Sequence, residues 1–441
     1  MGELLRSLGA GGGSRLFVHC VTAIDYLDEL CALKPEVELY AERALLLADV
    51  ADIVCLAEEV DPAYLALLAE LGIGPRPENV IVAWRYSESG SPLWKRLLDN
   101  DEVLEQLSRR MRMERTAQLH PFFLTTGHLE LGRALSERLG REVTVLGGDP
   151  AVVAYADHKH HIRALAVELG IPVAPGEVVD AGSVFSSVKR QLRTTGRVIV
   201  RGASGAAGSA TFCADGTVAS LDDLAGWLSG RTDNRLYLVE AMYQAVASPN
   251  IQIHVSRKGK TTCVGISDQL LDSSLTHTGN ALPSAAACTS DMVRWASRLG
   301  EWLGDMGYAG IAGFDFVEYM APDGKRKAFL AELNPRVNGA TYPLAVRERL
   351  SPGSAFVCGS IETRLDAFSE VRDRLGHLLY AASRRRGVIP YMPGSLAYGS
   401  CGIIALAPTR RESAELFAQA ELSLTGAVPQ AEPVRALAAI S

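Results

Sequence analysis

The second half of the chain contains the stretch Gly313-Phe-Asp-Phe-Val-Glu-Tyr-Met-Ala-Pro-Asp-Gly-Lys-Arg-Lys-Ala-Phe-Leu-Ala-Glu-Leu-Asn-Pro-Arg336. Two runs of strand-forming residues flank Pro322-Asp323-Gly324, which is a strong turn signal, so the stretch predicts a β-hairpin. With Asp323 and Gly324 as the two turn residues, Asp315 pairs with Glu332. Because side chains alternate between the faces of a strand, Asn334 lies on the same face as Glu332.

Asp315, Glu332 and Asn334 form a candidate metal site. Two carboxylates and an amide oxygen suit a hard cation such as Mg²⁺, especially one that also holds nucleotide phosphates. Buried together without a metal, the two carboxylates would repel each other and one would bind a proton. A surface hairpin with scattered acids is the alternative, and the hairpin alone does not decide between the two.

Length and composition indicate a globular protein of several domains. The chain has 441 residues, of which 48% are apolar and 22% are charged. The net charge of -7 argues against a nucleic-acid partner. The eight cysteines include no C-x-x-C pair, so we expect reduced thiols, a cytoplasmic protein and no zinc site. No apolar run has transmembrane length and the N-terminus lacks a signal-peptide layout, so no membrane partner is expected.

The order of apolar runs and helical patterns predicts the domain organisation. Up to about residue 152, strand-like runs (one of them at 122–126) alternate with helical patterns, which predicts an open, mostly parallel α/β sheet. Residues 153–170 predict one continuous helix, and residues 173–240 alternate short strands with two helices. The stretch from Leu271 to Ser284 is long and polar, so we interpret it as a substrate loop.

A loop of small residues follows the short strand Arg197-Val-Ile-Val-Arg201. It runs from Gly202 to Gly208 and returns to strand character at Thr211. The order strand, loop, strand excludes a Walker loop and a Rossmann fingerprint, since both lead into a helix. A mobile hairpin of small residues can fold its backbone N–H groups over phosphates, although a plain flexible turn is the more frequent explanation of such a loop.

Taken together, the hairpin and the loop resemble the ATP-grasp superfamily. Four elements occur in the expected order: Asp157-His158-Lys159 with its helix to Gly170-Ile171-Pro172, the strand to Arg201 with the glycine loop, Leu236 to Tyr243, and Phe314-Asp315-Phe316 with Glu332-Leu-Asn334-Pro-Arg336. They cover about residues 157–345.

The resemblance implies a fold of α/β and α+β class with three parts. These are an N-terminal open α/β (pre-ATP-grasp) domain at 1–152, an ATP-grasp domain at 153–379 with a mobile lid at about 173–240, and a small α/β C-terminal domain at 380–441.

The resemblance also implies ATP and Mg²⁺ as cofactors, with Asp315, Glu332 and Asn334 as the Mg²⁺ ligands. Lys159 and Arg201 occupy the positions of phosphate-binding cations, although most members have a lysine at the second position. The nucleotide contacts that it implies are Lys159, Arg201, Ser204, Gly205, Ala206, Gly208, Glu240, Ala241, Tyr243 and Asn250. Asn250 stands where many members have a ribose-binding glutamate.

The candidate catalytic residues are Arg336, Lys159, Arg201 and His277. Some ligases have an arginine at the position of Gly313, so Arg336 or the region around His277 has to supply that charge. A solvated surface lysine is the alternative for Lys159, and a solvent-exposed loop residue is the alternative for His277.

A site of this kind implies phosphoryl transfer from ATP to a carboxylate, followed by attack of an amine on the acyl phosphate. The products are an amide, ADP and phosphate. The layout of the whole chain is most similar to the peptide ligases of bacterial peptide-antibiotic pathways, of the pheganomycin type. We therefore expect a small-molecule carboxylate and an amine or peptide as partners, and a homodimer is one option. Another ATP-grasp enzyme (a carboxylase or an acyl-CoA ligase) and a non-catalytic ATP-sensing module stay open.

Overall fold

A computed structural model of the protein describes residues 2–9, 12–21, 35–83, 91–204, 211–229 and 235–426. These residues form three β-sheets with helices packed against them. Gly205, Ala206 and Gly208 of the predicted phosphate loop lie outside the described residues.

The first sheet is parallel, with the strand order β3-β2-β1-β4-β5. Its strands are β1 (Arg15–Val18), β2 (Ile53–Leu56), β3 (Val80–Val82), β4 (Gln118–Pro121) and β5 (Thr144–Val145). All residues of β1 and β2 are buried, as expected for a parallel sheet covered on both faces. The helical elements around it are α1 (Glu3–Ser7), a 3₁₀ segment (Pro35–Leu46), α2 (Pro62–Glu70), α3 (Leu93–Leu98), α4 (Asp101–Glu114) and α5 (Thr126–Leu139).

The predicted parallel sheet is thus confirmed, but the strand expected at 122–126 is wrong. Strand β4 lies just before it and ends at Pro121. Pro121 has no N–H to extend the ladder of hydrogen bonds, and pairing stops there. Phe122 and Phe123 are instead buried beside the guanidinium of Arg336.

The single helix predicted at 153–170 is also wrong, because two helices replace it. Helix α6 (Pro150–Asp157) and helix α7 (Lys159–Glu168) meet at His158, whose backbone is extended (φ −81°, ψ 118°). The N–H of Lys159 donates to the carbonyl of Ala203 at 3.0 Å instead of to a preceding helical turn. This break places Asp157 and Lys159 on either side of one extended residue.

The second sheet is antiparallel, and we call it the lid sheet. Its order is β6-β9-β7-β8, with β6 (Gly176–Asp180), β7 (Val198–Gly202), β8 (Thr211–Ala214) and β9 (Leu236–Ala241). The two helices predicted in this region are confirmed as α8 (Val184–Thr195) and α9 (Val218–Ser229). They share with the strands a separate hydrophobic cluster that includes Val188, Val200 and Leu224.

The third sheet has nine strands and supports the candidate site. Its order is β10-β14-β11-β12-β13-β16-β18-β17, and β15 pairs with β14. The strands are β10 (Ala245–Ala247), β11 (Pro249–Val255), β12 (Thr261–Leu271), β13 (His277–Leu282), β14 (Gly310–Met320), β15 (Arg326–Asn334), β16 (Ala355–Glu362), β17 (Gly387–Tyr391) and β18 (Ser400–Ala407). The accompanying helices are α10 (Thr289–Asp305), α11 (Thr341–Leu350), α12 (Phe368–Leu375) and α13 (Arg410–Thr425).

The long substrate loop predicted from Leu271 to Ser284 is wrong. Its second half contains strand β13, which pairs with β12 on one side and with β16 on the other. Only a short turn separates β12 from β13, and the carboxylate of Asp272 holds it by accepting hydrogen bonds from the N–H groups of Ser274 and Thr276. The polar residues of this stretch made it look like a loop, although strand pairing satisfies its backbone.

The strands near the C-terminus complete the large sheet and do not form a sheet of their own, since β18 pairs with both β16 and β17. Within the described ranges, no helix is long and apolar enough to cross a membrane.

Candidate active site

The hairpin of β14 and β15 brings Asp315 opposite Glu332, so the predicted pairing is confirmed. The structure reaches this pairing by a different route. The loop contains three residues, Pro322 to Gly324, and Gly324 has a φ of +74° that suits glycine. The three-residue loop offsets the register by one, and a β-bulge at Ala331 restores it before Glu332.

The three predicted metal ligands lie together. Asp315 and Asn334 are buried, and Asn334 Nδ2 donates to Asp315 Oδ2 at 3.0 Å. Burial, followed by the neighbouring carboxylate of Glu332, raises the pKa of Asp315 to about 7. Repulsion between buried Asp315 and half-buried Glu332 is therefore present, and a divalent cation bound by their oxygens would offset it.

Across the described part of the chain, no group of three or more His, Cys, Asp or Glu side chains could hold a metal ion. A cation at Asp315 and Glu332 therefore depends on an amide oxygen such as that of Asn334, and on ligands from outside the protein. This donor set fits Mg²⁺, which is often held by one or two carboxylates together with substrate phosphates.

A chain of amide side chains extends from this cluster. Asn250 Nδ2 donates to Asp315 Oδ1 at 2.5 Å, and Gln252 Nε2 donates to the side-chain oxygens of Asn250 (2.5 Å) and Asn338 (2.9 Å). Asn250 was predicted at the ribose, but the structure places it against a metal-ligand candidate. Asn250 and Gln252 are two residues apart on β11 and therefore lie on the same face of the strand. This spacing was the sequence signal that would have predicted the row of amide side chains.

The surroundings of Gly313 explain why this protein has no arginine at the position where some ligases have one. A Cβ at Gly313 would overlap the Asn338 amide and lie within 3.1 Å of the amides of Gln252 and Asn250. The amide chain fills the space into which a side chain would point, so this position cannot supply a positive charge.

Lys159 is close to the acidic cluster. Its Nζ lies 3.1 Å from Glu332 Oε1, and its side chain is only 9% exposed. The alternative of a solvated surface lysine is therefore wrong. The break between α6 and α7 gives Lys159 this position, because it begins a new helix that packs against β15.

Arg336 forms a buried ion pair with Asp157, at the end of α6. Its guanidinium also faces the rings of Phe122 and Phe123, at 5.9 Å and 5.8 Å from their centroids. Burial raises the pKa of Asp157, while the charges of Arg336 and Lys159 oppose that rise. Asp157 belongs to the Asp157-His158-Lys159 motif, but the sequence alone assigned no role to its side chain. Only the folded chain shows that it pairs with Arg336.

Arg201 and Glu240 belong to one ion-pair network in the lid sheet. The buried carboxylate of Glu240 accepts from both Arg163 and Arg201, and Arg201 Nη1 also donates to the carbonyl of Ala331 at 2.9 Å. The side chain of Glu240, a predicted adenine contact, thus holds two arginines.

The other nucleotide candidates lie at or just beyond the ends of β7 and β9, the two inner strands of the lid sheet. The N–H of Ala241 donates to the carbonyl of Pro175 at 2.7 Å. Tyr243 packs on Tyr319, with ring centroids 4.1 Å apart. Ser204 follows β7 directly, before the residues that the structure does not describe.

His277 lies at the start of β13 and not in a loop. Its Nε2 is 3.1 Å from Asn280 Oδ1, and burial lowers its pKa, so the imidazole is neutral at pH 7. A Cβ on Gly339 would lie 3.1 Å from its Cε1, so His277 borders the segment that follows Arg336.

Comparisons with known proteins agree with this architecture. Residues 41–137 match the family described as the Pre ATP-grasp domain. No curated protein matches the chain in sequence.

Several solved structures have a similar fold. N5-carboxyaminoimidazole ribonucleotide synthetase (purK) in its ADP complex has a TM-score of 0.55 and 10% identity, over 93% of this chain and 97% of that chain. Biotin carboxylase from Campylobacter jejuni in a complex with β-γ-ATP has a TM-score of 0.55 and 12% identity, over 93% of this chain and 91% of that chain. The biotin carboxylase domain of 2-oxoglutarate carboxylase from Hydrogenobacter thermophilus, a dimer with MgADP, ADP and bicarbonate, has a TM-score of 0.50 and 13% identity, over 81% and 86%.

The fold therefore defines the class: a pre-ATP-grasp domain with a parallel sheet, followed by an ATP-grasp fold. The predicted fold class is confirmed. At such low identities the similarity establishes the fold alone, so the activity has to be argued from the site.

Proposed function

We propose that the protein is an ATP-dependent carboxylate–amine ligase that forms an amide bond through an acyl phosphate. One observation carries this proposal: the paired carboxylates of Asp315 and Glu332 lie beside the amide of Asn334 and the ammonium of Lys159. Such a set suits a triphosphate and its metal ion better than a structural ion pair, because within the described ranges Lys159 alone forms a salt bridge with this pair of acids.

The cofactors would be ATP and Mg²⁺, in line with the nucleotides held by the similar structures. Asp315, Glu332 and Asn334 would hold Mg²⁺, whose charge would stabilise the phosphate oxygens during transfer. Lys159 and Arg201 supply further positive charge around the same carboxylates.

In the first step a substrate carboxylate attacks the γ-phosphorus of ATP, which gives an acyl phosphate and ADP. Arg336 is oriented by Asp157 and two aromatic rings, so its charge is fixed before the substrates arrive. In the second step an amine attacks the acyl carbonyl and phosphate leaves. His277 is neutral at pH 7 and can accept the proton that the amine loses.

A carboxylase is the second candidate. The similar structures include two biotin carboxylase domains and a carboxyaminoimidazole synthetase, and one of them contains bicarbonate. In that reaction bicarbonate would replace the organic carboxylate as the phosphoryl acceptor.

The more specific proposal is the joining of a modified amino acid to a peptide amine in the biosynthesis of a bacterial peptide natural product, in a cytoplasmic protein. It is supported by the layout of the whole chain and by the resemblance stated above. A homodimer is part of this proposal, as one of the similar structures is a dimer.

Hydroxylamine trapping tests the chemistry without knowledge of the amine. The purified protein is incubated with MgATP, hydroxylamine and a panel of amino-acid carboxylates, in buffer with and without bicarbonate. A ligase is expected to release ADP only with certain organic acids and to yield their hydroxamates. ADP release that requires bicarbonate alone would indicate the carboxylase, and nucleotide binding without turnover would indicate a sensor.

A further inference from the structure

Arg43 is a cation that the proposed phosphoryl chemistry does not use. It lies in the 3₁₀ segment of the N-terminal domain, partly buried. Its guanidinium carbon is 4.2 Å from the ring centroid of Tyr40 and 5.2 Å from that of Tyr342. Its Nε donates to the carbonyl of Tyr40 at 3.2 Å. These contacts fix the position of the guanidinium, and among the residues that the structure describes its two terminal nitrogens have no hydrogen-bond partner.

Arg43 forms no ion pair with any carboxylate among the residues that the structure describes. Other arginines with little exposure do have acidic partners: Arg15 pairs with Asp52, Arg96 with Glu38 and Arg349 with Asp49. Arg43 is only partly buried, and its terminal nitrogens are not among the buried polar atoms that lack a partner, so an anionic ligand can approach the guanidinium from solvent.

The titratable groups around Arg43 are neutral at pH 7. Its charge lowers the pKa of five of them, namely His19, His277, Tyr342, Cys358 and Tyr391. Burial brings the pKa of His19 to about 3, while it raises those of Tyr342 and Cys358 to about 12.

Glu42, the residue before Arg43, does not neutralise the charge of Arg43 either. Glu42 accepts a hydrogen bond from the N–H of Gly394, and burial raises its pKa to about 8, so it is mainly protonated at pH 7.

The surroundings of Arg43 adjoin the candidate active site. The phenol of Tyr342 lies within reach of the charges of both Arg43 and Arg336. His277 lies near Arg43 and also borders Gly339, which follows Asn338 of the amide chain. A substrate that reaches the acidic cluster from this side would meet Arg43.

We propose that Arg43, held between Tyr40 and Tyr342, binds a substrate carboxylate that the reaction does not consume. The reacting carboxylate has Lys159 and Arg336 for its charge, whereas Arg43 comes from the N-terminal domain and contacts none of the three candidate metal ligands. A planar guanidinium with two free nitrogens binds carboxylates in a bidentate manner. The inference rests on the proposed ligase function and adds a substrate class, one that bears a second, unreactive carboxylate.

That carboxylate has two sources. It belongs either to an amino acid that acts as the amine, or to a dicarboxylic acid that is phosphorylated at its other end. Two pairs of probes distinguish them: amino acids against their α-amides, and glutarate against its monoamide.

The test measures binding of these probes by calorimetry to the full chain, loaded with Mg²⁺ and a non-hydrolysable ATP analogue. The wild type is expected to bind the acid of one pair about 10- to 100-fold more tightly than its amide. Arg43→Gln should abolish that preference, and Arg43→Lys should retain part of it. Arg372→Gln is the matched control, since Arg372 pairs with Glu70 away from this site, and it should behave as the wild type.

A preference for the acid that survives in Arg43→Gln would overturn the proposal, and so would equal binding of acid and amide by the wild type. Because binding is measured without turnover, these results are separate from those of hydroxylamine trapping. Binding of the nucleotide analogue to every variant shows that the Arg43 variants are folded.

Discussion

Arg201 of the lid sheet donates a hydrogen bond to the carbonyl oxygen of Ala331, at 2.9 Å. Ala331 is the bulge residue that brings Glu332 into register with Asp315, and a bulge leaves its extra residue outside the regular ladder of hydrogen bonds. The same irregularity therefore aligns the two carboxylates and gives the lid sheet a point of attachment. A residue predicted to bind phosphate thus also ties the lid sheet to the proposed metal site.

Arg201→Lys tests this attachment. Lysine keeps the positive charge beside Glu240 but loses the planar fork that reaches both Glu240 and Ala331. We expect the free energy of unfolding to fall by about 1 kcal/mol, the usual net value of a hydrogen bond. Hydrogen exchange should become faster at Lys159, whose N–H bonds to Ala203 of the lid. Arg163→Lys is the control, since Arg163 also pairs with Glu240 but has no bond to Ala331. In this variant, hydrogen exchange in β15 should not change.

Glu332→Gln tests the metal site. The amide removes one of two negative charges, so Mg²⁺-dependent turnover should fall about 10²- to 10³-fold, while nucleotide binding loses its dependence on Mg²⁺. Turnover by hydroxamate formation and binding by calorimetry, with and without chelator, measure the two effects. Asp323→Asn lies in the turn of the same hairpin and should match the wild type. Near-normal turnover in Glu332→Gln would contradict the assignment.

Gly313→Ala tests the amide chain. The added methyl group would overlap Asn338 and crowd Gln252, so the chain that holds Asp315 has to shift. We expect a loss of about 1–3 kcal/mol in the free energy of unfolding and weaker Mg²⁺-nucleotide binding. Gly226→Ala is the matched control: its Cβ meets nothing within 4 Å in helix α9, and it should stabilise the protein slightly. Unfolding by urea compares the two variants.

Glu42→Gln tests the buried carboxyl group of the N-terminal domain. Burial raises the pKa of Glu42 from 4.5 to about 8, so the folded protein holds its proton over a range in which the unfolded chain has lost it. The wild type should therefore lose stability as the pH rises from 4.5 to 8, by up to about 1.4 kcal/mol per pH unit relative to Glu42→Gln. Unfolding curves at pH 5, 6.5 and 8 measure the difference, and a constant gap would show that Glu42 is ionised in the folded state.

Much of the fold could be predicted because its signals are local. Alternating apolar runs indicated the parallel sheet, and the turn signal Pro322-Asp323-Gly324 between strand-forming runs indicated the hairpin. Polar composition was misleading at 271–284, since a strand between two others satisfies its backbone through pairing whatever its side chains are. The break at His158 was missed because the bond that stabilises it comes from Ala203, far along the chain.

The sequence by itself determined the order of the motifs and the hairpin that carries Asp315 and Glu332, because turn chemistry and side-chain alternation act over a few residues. The pairing of these two carboxylates also depends on the bulge at Ala331, which the turn signal did not predict. Only the tertiary structure decided which charges meet. Asn250 donates a hydrogen bond to Asp315, and Glu240 forms ion pairs with two arginines. Arg43 lies among neutral groups. Charge partners distant in sequence are chosen by packing and by the cost of burying an unpaired charge, and neither is visible in a run of neighbouring residues.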